Sequence, residues 1–232
     1  MAENPRLGVV LAAQALKAAK AESAEDTSAG PKLLVAVDPA DATVWHFLAA
    51  GFAGPLASGE FIFRLDAPKD FPHKPPKFQF ITPTGIFTPG GAICISIGEF
   101  HSDNAPGKDG GMGWRPALGM MGFAAQVVNA LITFDSKDHG INIKVESPDV
   151  QADCARKSRS ANIRAAKKSE VLAHALAVFE EKIAAAVPGT AAAAIAAARA
   201  NPPWVLRGTP ELAKPHAGDD LTRDLAEGTV DE

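Results

Sequence analysis

The chain has two cysteines, Cys94 and Cys154, and the first sits in the setting that points to chemistry. Cys94 lies in the run Ile93-Cys94-Ile95-Ser96-Ile97, with His101 seven residues downstream and Asp103 nine. A thiolate is nucleophilic near neutral pH, and a thioester formed on it stays reactive toward amines, so a cysteine is a natural acyl carrier. His101 with Asp103 could take a proton from an incoming amine or hydroxyl; acidic groups could also attract an amine without taking its proton. Each residue has a plainer reading as well. Free cysteine is commonly buried among apolar neighbours, and a lone histidine is usually solvated surface. Cys154 reads as structural. No pair of ligand-type residues has metal-site spacing, and no Gly-Lys-Ser/Thr precedes a helix, so neither a metal nor a cofactor is expected.

The elements that must position Cys94 follow from periodicity and turn residues. Leu7, Val10 and Leu11 share a helical face, Asn4 can cap with Pro5 at the first helical position, and a helix is expected over Pro5 to Ala21. Glu22 to Pro31 reads as a loop. Three apolar runs follow, Leu33 to Val37, Val44 to Phe52 and Glu60 to Leu65, divided by Asp38-Pro39 with Asp41 and by Gly54-Pro55 with Ser58-Gly59. Such short gaps favour hairpins, and Lys77 to Ile81 adds a fourth strand after the proline-rich corner Phe71-Pro72-His73-Lys74-Pro75-Pro76. The expected class is therefore α+β, with a four-stranded antiparallel meander and helices on one side of it. Thr82 to Gly113 is rich in Gly, Pro, Asp and Asn, an irregular stretch of a length usually tied to function or disorder. A helix is expected over Pro116 to Thr133, another from Ser147-Pro148-Asp149, and a further one over Lys167 to Val187.

Composition sets outer limits. A chain of 232 residues with 47% apolar content can build one sizeable domain and an appendage, and a net charge of -4 argues against broad nucleic-acid binding. Two cysteines make no disulfide scaffold, which favours a reducing compartment. The apolar run Leu7 to Ala13 lacks the basic flank of a signal peptide. Thr190 to Ala200 is an alanine run interrupted upstream by Pro188-Gly189, short of the roughly 20 apolar residues that span a bilayer, so no membrane span is expected.

In order, these motifs resemble the ubiquitin-conjugating enzymes: Phe71-Pro72-x-x-Pro75-Pro76, a turn, Ile93-Cys94-Ile95-Ser96-Ile97, and Trp114-x-Pro116-Ala117-Leu118. Thr82-Pro83-Thr84-Gly85-x-Phe87 ahead of the cysteine and Phe100-His101 after it resemble the branch whose familiar members are tail-anchored in the endoplasmic reticulum, which reads T-P-N-G-x-F there. The resemblance covers roughly Pro5 to Asn162. It implies that Cys94 accepts ubiquitin or a ubiquitin-like modifier from an ATP-dependent activating enzyme and passes it to a substrate lysine or hydroxyl.

The resemblance also implies roles for other residues, and shows departures. Attack on the thioester puts negative charge on a carbonyl oxygen, where a lost hydrogen-bond donor costs about a hundredfold to a thousandfold in rate. In the family an asparagine is associated with that role or with holding the local loop. This chain has Thr84 there, ten residues before Cys94, and it reads equally as a weaker donor or as a turn residue. Glycine-rich Asp103 to Gly113 is longer than the usual connection, as either a flap or a tolerated insertion. RING-type ligases touch the first helix, the proline-rich corner and the Trp-x-Pro-Ala loop, here Arg6, His73, Trp114, Pro116 and Ala117. Histidine at position 73 offers less apolar area than the aromatic of many relatives. Trp114 and Pro116 also read as packing and capping the helix that follows.

The expected organisation is a conjugating core over 1–162, an Ala-rich helical extension over 163–200 and a flexible acidic tail over 201–232. A cytoplasmic enzyme is the leading expectation, with the nucleus as an additional location. The rival is a binding module of the same fold that holds ubiquitin or a ligase and catalyses weakly because the asparagine is missing. Retained Cys94 favours the enzyme.

Overall fold

The structure, a computed structural model, describes residues 5–24, 30–93, 95–98 and 113–200. It opens with helix α1, Pro5–Ser23, whose Leu11 and Ala18 are buried two turns apart while Leu7, Val10 and Ala15 pack beside them. Four antiparallel strands follow in sequence order: β1 Lys32–Val37, β2 Val44–Ala50, β3 Glu60–Asp66 and β4 Lys77–Phe80. The register aligns Val35 with Phe47, Phe47 with Phe63, and Phe63 with Phe80, so one row of large side chains crosses the whole sheet. The expected meander is therefore present.

Alternation along the strands divides the core in two. Val35, Trp45, Phe47, Phe61, Phe63, Leu65, Phe78 and Phe80 face helix α2, Gly119–Thr133, which follows a short 3-10 turn at Pro116–Leu118. Phe47 stacks on Phe63 at 5.2 Å, and Met120, Phe123, Ala124 and Val127 of α2 are fully buried against this face. Each such ring contributes about 2–3 kcal/mol by leaving water, which makes this face the main source of stability. By length and composition alone the stretch Pro116–Thr133 could cross a membrane; Met120, Phe123, Ala124, Val127 and Leu131 within it are buried in this core.

Helices lie on both faces of the sheet, which corrects the expectation that they would lie on one. Leu34, Ala36, Leu48, Ala50 and Ile62 point the other way and meet α4, Glu170–Ala184, and α5, Ala191–Ala200. Leu172, Ala175, Phe179 and Ile183 form the stripe of α4, and Ile195 that of α5. All seven residues of β2 are buried as a result, as in a strand covered from both sides. The small side chain of alanine is the reason α5 was legible as a helix and not as a core element: it buries little area yet allows close approach.

Polar side chains complete the sheet edges. β4 pairs with β3 only over Phe63 to Asp66; residues 81 and 82 take up the backbone groups of Ile62, and helix α3, Pro148–Ala166, those of Glu60. The Glu60 N–H donates to Ser158 Oγ at 2.9 Å and Asn162 Nδ2 donates to the Glu60 carbonyl at 2.9 Å. At the opposite edge, Glu22 accepts from the Val35 N–H at 2.8 Å and Lys182 Nζ donates to the Val35 carbonyl at 2.6 Å. Edge groups that would otherwise invite another strand are thereby satisfied. A small ribbon, β5 His139–Gly140 and β6 Ile143–Lys144, links α2 to α3.

Candidate functional site

The chain leaving β4 turns at Thr82-Pro83-Thr84-Gly85, where both threonines are fully buried. Thr82 Oγ1 accepts from the Ile62 N–H at 2.7 Å and donates to Asn162 Oδ1, which ties the turn to β3 and α3. Thr84 Oγ1 accepts from the N–H groups of Ile86 at 3.0 Å and Phe87 at 2.8 Å. Its hydroxyl thus holds the turn directly. Gly85 has φ +74, which favours glycine, and a Cβ there would lie 3.0 Å from Gln151, a tight contact that adds to the preference.

Beyond the turn the chain pairs with the segment that precedes α3. Glu146 N–H donates to the Gly85 carbonyl at 2.8 Å, Lys144 N–H to Ile86 at 2.9 Å, and Thr88 N–H to Asn142 at 3.0 Å. Phe87 bridges to Ile143 and stacks on Phe80 at 5.1 Å. Gly90 N–H donates to the Phe80 carbonyl at 2.8 Å, and Asn142 Nδ2 to the Ala92 carbonyl at 2.7 Å. Ile93, Ile95 and Ile97 are all buried, and Gly98 N–H closes a turn on the Ile95 carbonyl at 2.8 Å. Both flanks of position 94 are thus anchored in the core. Cys94, His101 and Asp103 themselves lie outside the described residues, as does most of the glycine-rich stretch between them and Gly113.

Trp114 re-enters the core, with its ring 6.1 Å from Phe71 and 6.0 Å from Phe123, and its Nε1 donates to the Pro72 carbonyl at 2.9 Å. That bond fastens the loop before α2 to the proline-rich corner. Pro116 and Ala117 are exposed, two and three residues further on. A groove of about 670 Å³ runs between α1 and this corner, lined by Arg6, Leu7, Val10 and residues 69–74 including His73. Arg6 and His73 therefore share one surface, and Trp114 contacts two of its lining residues, Phe71 and Pro72. Asp70 and Lys74 on its rim pair at 3.0 Å.

Sequence reasoning missed Gln14. Its Oε1 accepts from the Met120 N–H at 2.8 Å, so a residue on α1 satisfies an open N–H at the start of α2. Gly119 has φ +59 at that junction. Asn142 was missed as well, although asparagine two residues after Gly140 is a turn signal. Cys154 on α3 is half-buried, and burial followed by neighbouring Asp153 holds its thiol above the ordinary range, away from nucleophilic use. Among the described residues no three His, Cys, Asp or Glu side chains converge as a metal site would need.

Residues 15–154 match the family described as ubiquitin-conjugating enzyme. The chain is 30% identical to ubiquitin-conjugating enzyme E2 6 of Candida glabrata over 95 residues, which cover 40% of this chain and 33% of that one. It is 27% identical to ubiquitin-conjugating enzyme E2 6 of Debaryomyces hansenii over 136 residues, 57% of this chain and 51% of that one. These alignments span about a third to a half of the curated relatives' lengths. Among solved structures, human ubiquitin-conjugating enzyme E2 G1 aligns at 26% identity with a TM-score of 0.43, over 56% of this chain and 98% of that one.

Proposed function

The chain belongs to the ubiquitin-conjugating enzyme family, and from that premise we propose that it carries ubiquitin, or a similar modifier, as a thioester on Cys94. The Cys94 thiolate attacks the carbonyl of the thioester that joins the modifier's carboxyl terminus to an activating enzyme. The activating enzyme's sulfur leaves and takes up the proton that Cys94 gave. A substrate lysine or hydroxyl then attacks the new thioester, the Cys94 sulfur leaves, and the nucleophile's proton passes to water or to His101 with Asp103.

The observation that carries this reading is the anchoring on either side of position 94: buried Ile93, Ile95 and Ile97, within the matched segment, following a turn pinned by Thr82 and Thr84. Thr84 serves the reaction by holding that turn. The groove beside Arg6 and His73, with exposed Pro116 and Ala117 nearby in sequence to Trp114, is the proposed docking surface for a RING-type ligase. The proposed setting is a reducing one, cytoplasmic or nuclear.

A second reading, a weakly catalytic module that binds ubiquitin or a ligase, draws on one observation: the fully buried Thr84 hydroxyl accepts two backbone bonds, where the resemblance leads one to expect an amide. A charging assay separates the two. Purified chain is incubated with activating enzyme, ubiquitin and ATP, with and without thiol reductant, beside Cys94→Ala and Cys154→Ala. The carrier reading expects a reductant-sensitive adduct lost only in Cys94→Ala. A folded chain that takes up neither ubiquitin nor related modifiers would overturn it in favour of the binding module.

A further inference from the structure

We propose that Asn142 is a positioning residue for the Cys94 segment, a role that rests on Cys94 being the carrier. Its side chain comes from the connection between α2 and α3, 50 residues along the chain from the carbonyl it holds. Asn142 has φ +58, and is the non-glycine residue with positive φ among those described. Asparagine tolerates that conformation better than most residues because its short amide can bond locally.

The geometry makes Asn142 a staple across residues 88–92. Its backbone carbonyl accepts from the Thr88 N–H at 3.0 Å and its Nδ2 donates to the Ala92 carbonyl at 2.7 Å. Between them, the Gly90 N–H is held by the Phe80 carbonyl. A Cβ at Gly91 would lie 2.3 Å from Asn142 Nδ2, so the amide lies directly over the Gly91 backbone, and only glycine admits that approach. Thr88 and Ala92 are thus both fixed by Asn142, and Gly90 between them by β4. The Ala92 carbonyl sets the plane of the peptide leading into buried Ile93, and Cys94 is the next residue. The Thr84 hydroxyl is committed to Ile86 and Phe87, and among the described residues the Asn142 amide is the side chain bonded to this peptide.

The test uses the full chain in a Cys154→Ala background, so that Cys94 is the sole thiol, with Asn142→Gly and Asn142→Asp. The glycine variant keeps the left-handed backbone and deletes the amide. The aspartate variant keeps the shape and sets a carboxylate oxygen against the Ala92 carbonyl. In single-turnover discharge onto free lysine, both variants are expected to lose about ten- to a hundredfold in maximal rate, as for a misplaced reacting group, with the half-saturating lysine concentration unchanged. The pH profile of Cys94 alkylation by iodoacetamide should also differ from the parent's. Variants that are folded by near-ultraviolet circular dichroism and that discharge and alkylate as the parent does, even with a lower unfolding midpoint, would overturn the proposal by reducing Asn142 to a structural role. If the parent takes up no modifier, the carrier reading fails separately, and the alkylation comparison, which needs no activating enzyme, still decides whether Asn142 orients Cys94.

Discussion

Arg199 and Glu60 meet through two parallel bonds of 2.7 Å, Nε to one carboxylate oxygen and Nη2 to the other, joining the end of α5 to the first residue of β3. The same guanidinium donates to Glu180 of α4 at 2.7 and 2.9 Å. Burial alone would lower its pKa, but the bonds to Glu60 and Glu180 outweigh that and hold it above the ordinary value. The side chains of Arg199 and Glu60 are only 16% and 11% exposed, so removing one leaves the other as an uncompensated, largely buried charge. Arg199→Ala should destabilise the fold by about 3 kcal/mol, read as a lower urea midpoint. Arg199→Ala combined with Glu60→Gln should recover part of that loss; equal destabilisation of single and double variants would mean that the pair itself matters little.

His46 gives the protein an acid-sensitive step. It sits on the sheet face shared by Leu48 and Ala50, is 2% exposed, and its Nδ1 has no hydrogen-bond partner among the described residues. Burial, with Arg64 adding to it, pushes its pKa from 6.5 down to about 4, against the pull of Asp66 and Asp38. The unfolded chain therefore binds a proton between pH 6.5 and 4 that the folded chain refuses. Stability from this group is complete above the unfolded value and declines as pH falls through that window, by roughly 2–3 kcal/mol in all. Urea unfolding across pH 7 to 4 should show the decline, and His46→Leu should flatten it. An unchanged slope in the variant would assign the acid sensitivity elsewhere.

What was legible in the sequence depended on range. The strands announced themselves because Asp38-Pro39 and Gly54-Pro55 separate apolar runs over short gaps, a local signal that pairing obeys. Ser147 was legible as a helix start, and its side chain does cap α3. Ser158 and Asn162 were not legible as sheet-edge residues, because their meaning depends on where β4 stops. Gln14 and Asn142 were hidden for the same reason: each satisfies a backbone group that only the tertiary arrangement brings near. Cys94, His101 and Asp103 stand on the sequence, and what the fold adds is the anchoring of the residues beside Cys94.

Thr84 separates a turn role from a donor role. Thr84→Val is close in shape and removes the acceptor of the Ile86 and Phe87 N–H groups in a fully buried place. The expected cost is about 2 kcal/mol, since buried donors left open lose their solvation without return. Thr84→Ser retains the oxygen and should cost much less. Thermal unfolding of both variants checks this, and a valine variant as stable as the parent would contradict the turn role.

The junction of α1 and α2 can be probed from either side. Gln14→Ala opens the Met120 N–H at the start of α2, and caps of this kind are worth about 1 kcal/mol. Gly119→Ala acts on the same contact differently: the residue has φ +59, and its new Cβ would lie 2.8 Å from the Gln14 side-chain oxygen. Part of that clash is relieved if Gln14 swings away, at the expense of the cap, while the backbone strain stays. Gly119→Ala should therefore destabilise more than Gln14→Ala, and in the Gln14→Ala background it should cost less than it does alone, because the clash is gone and only the strain is left. A denaturant series on the two single variants and the double variant measures the coupling. Strict additivity would mean that the Gln14 side chain does not occupy the space over Gly119 in solution.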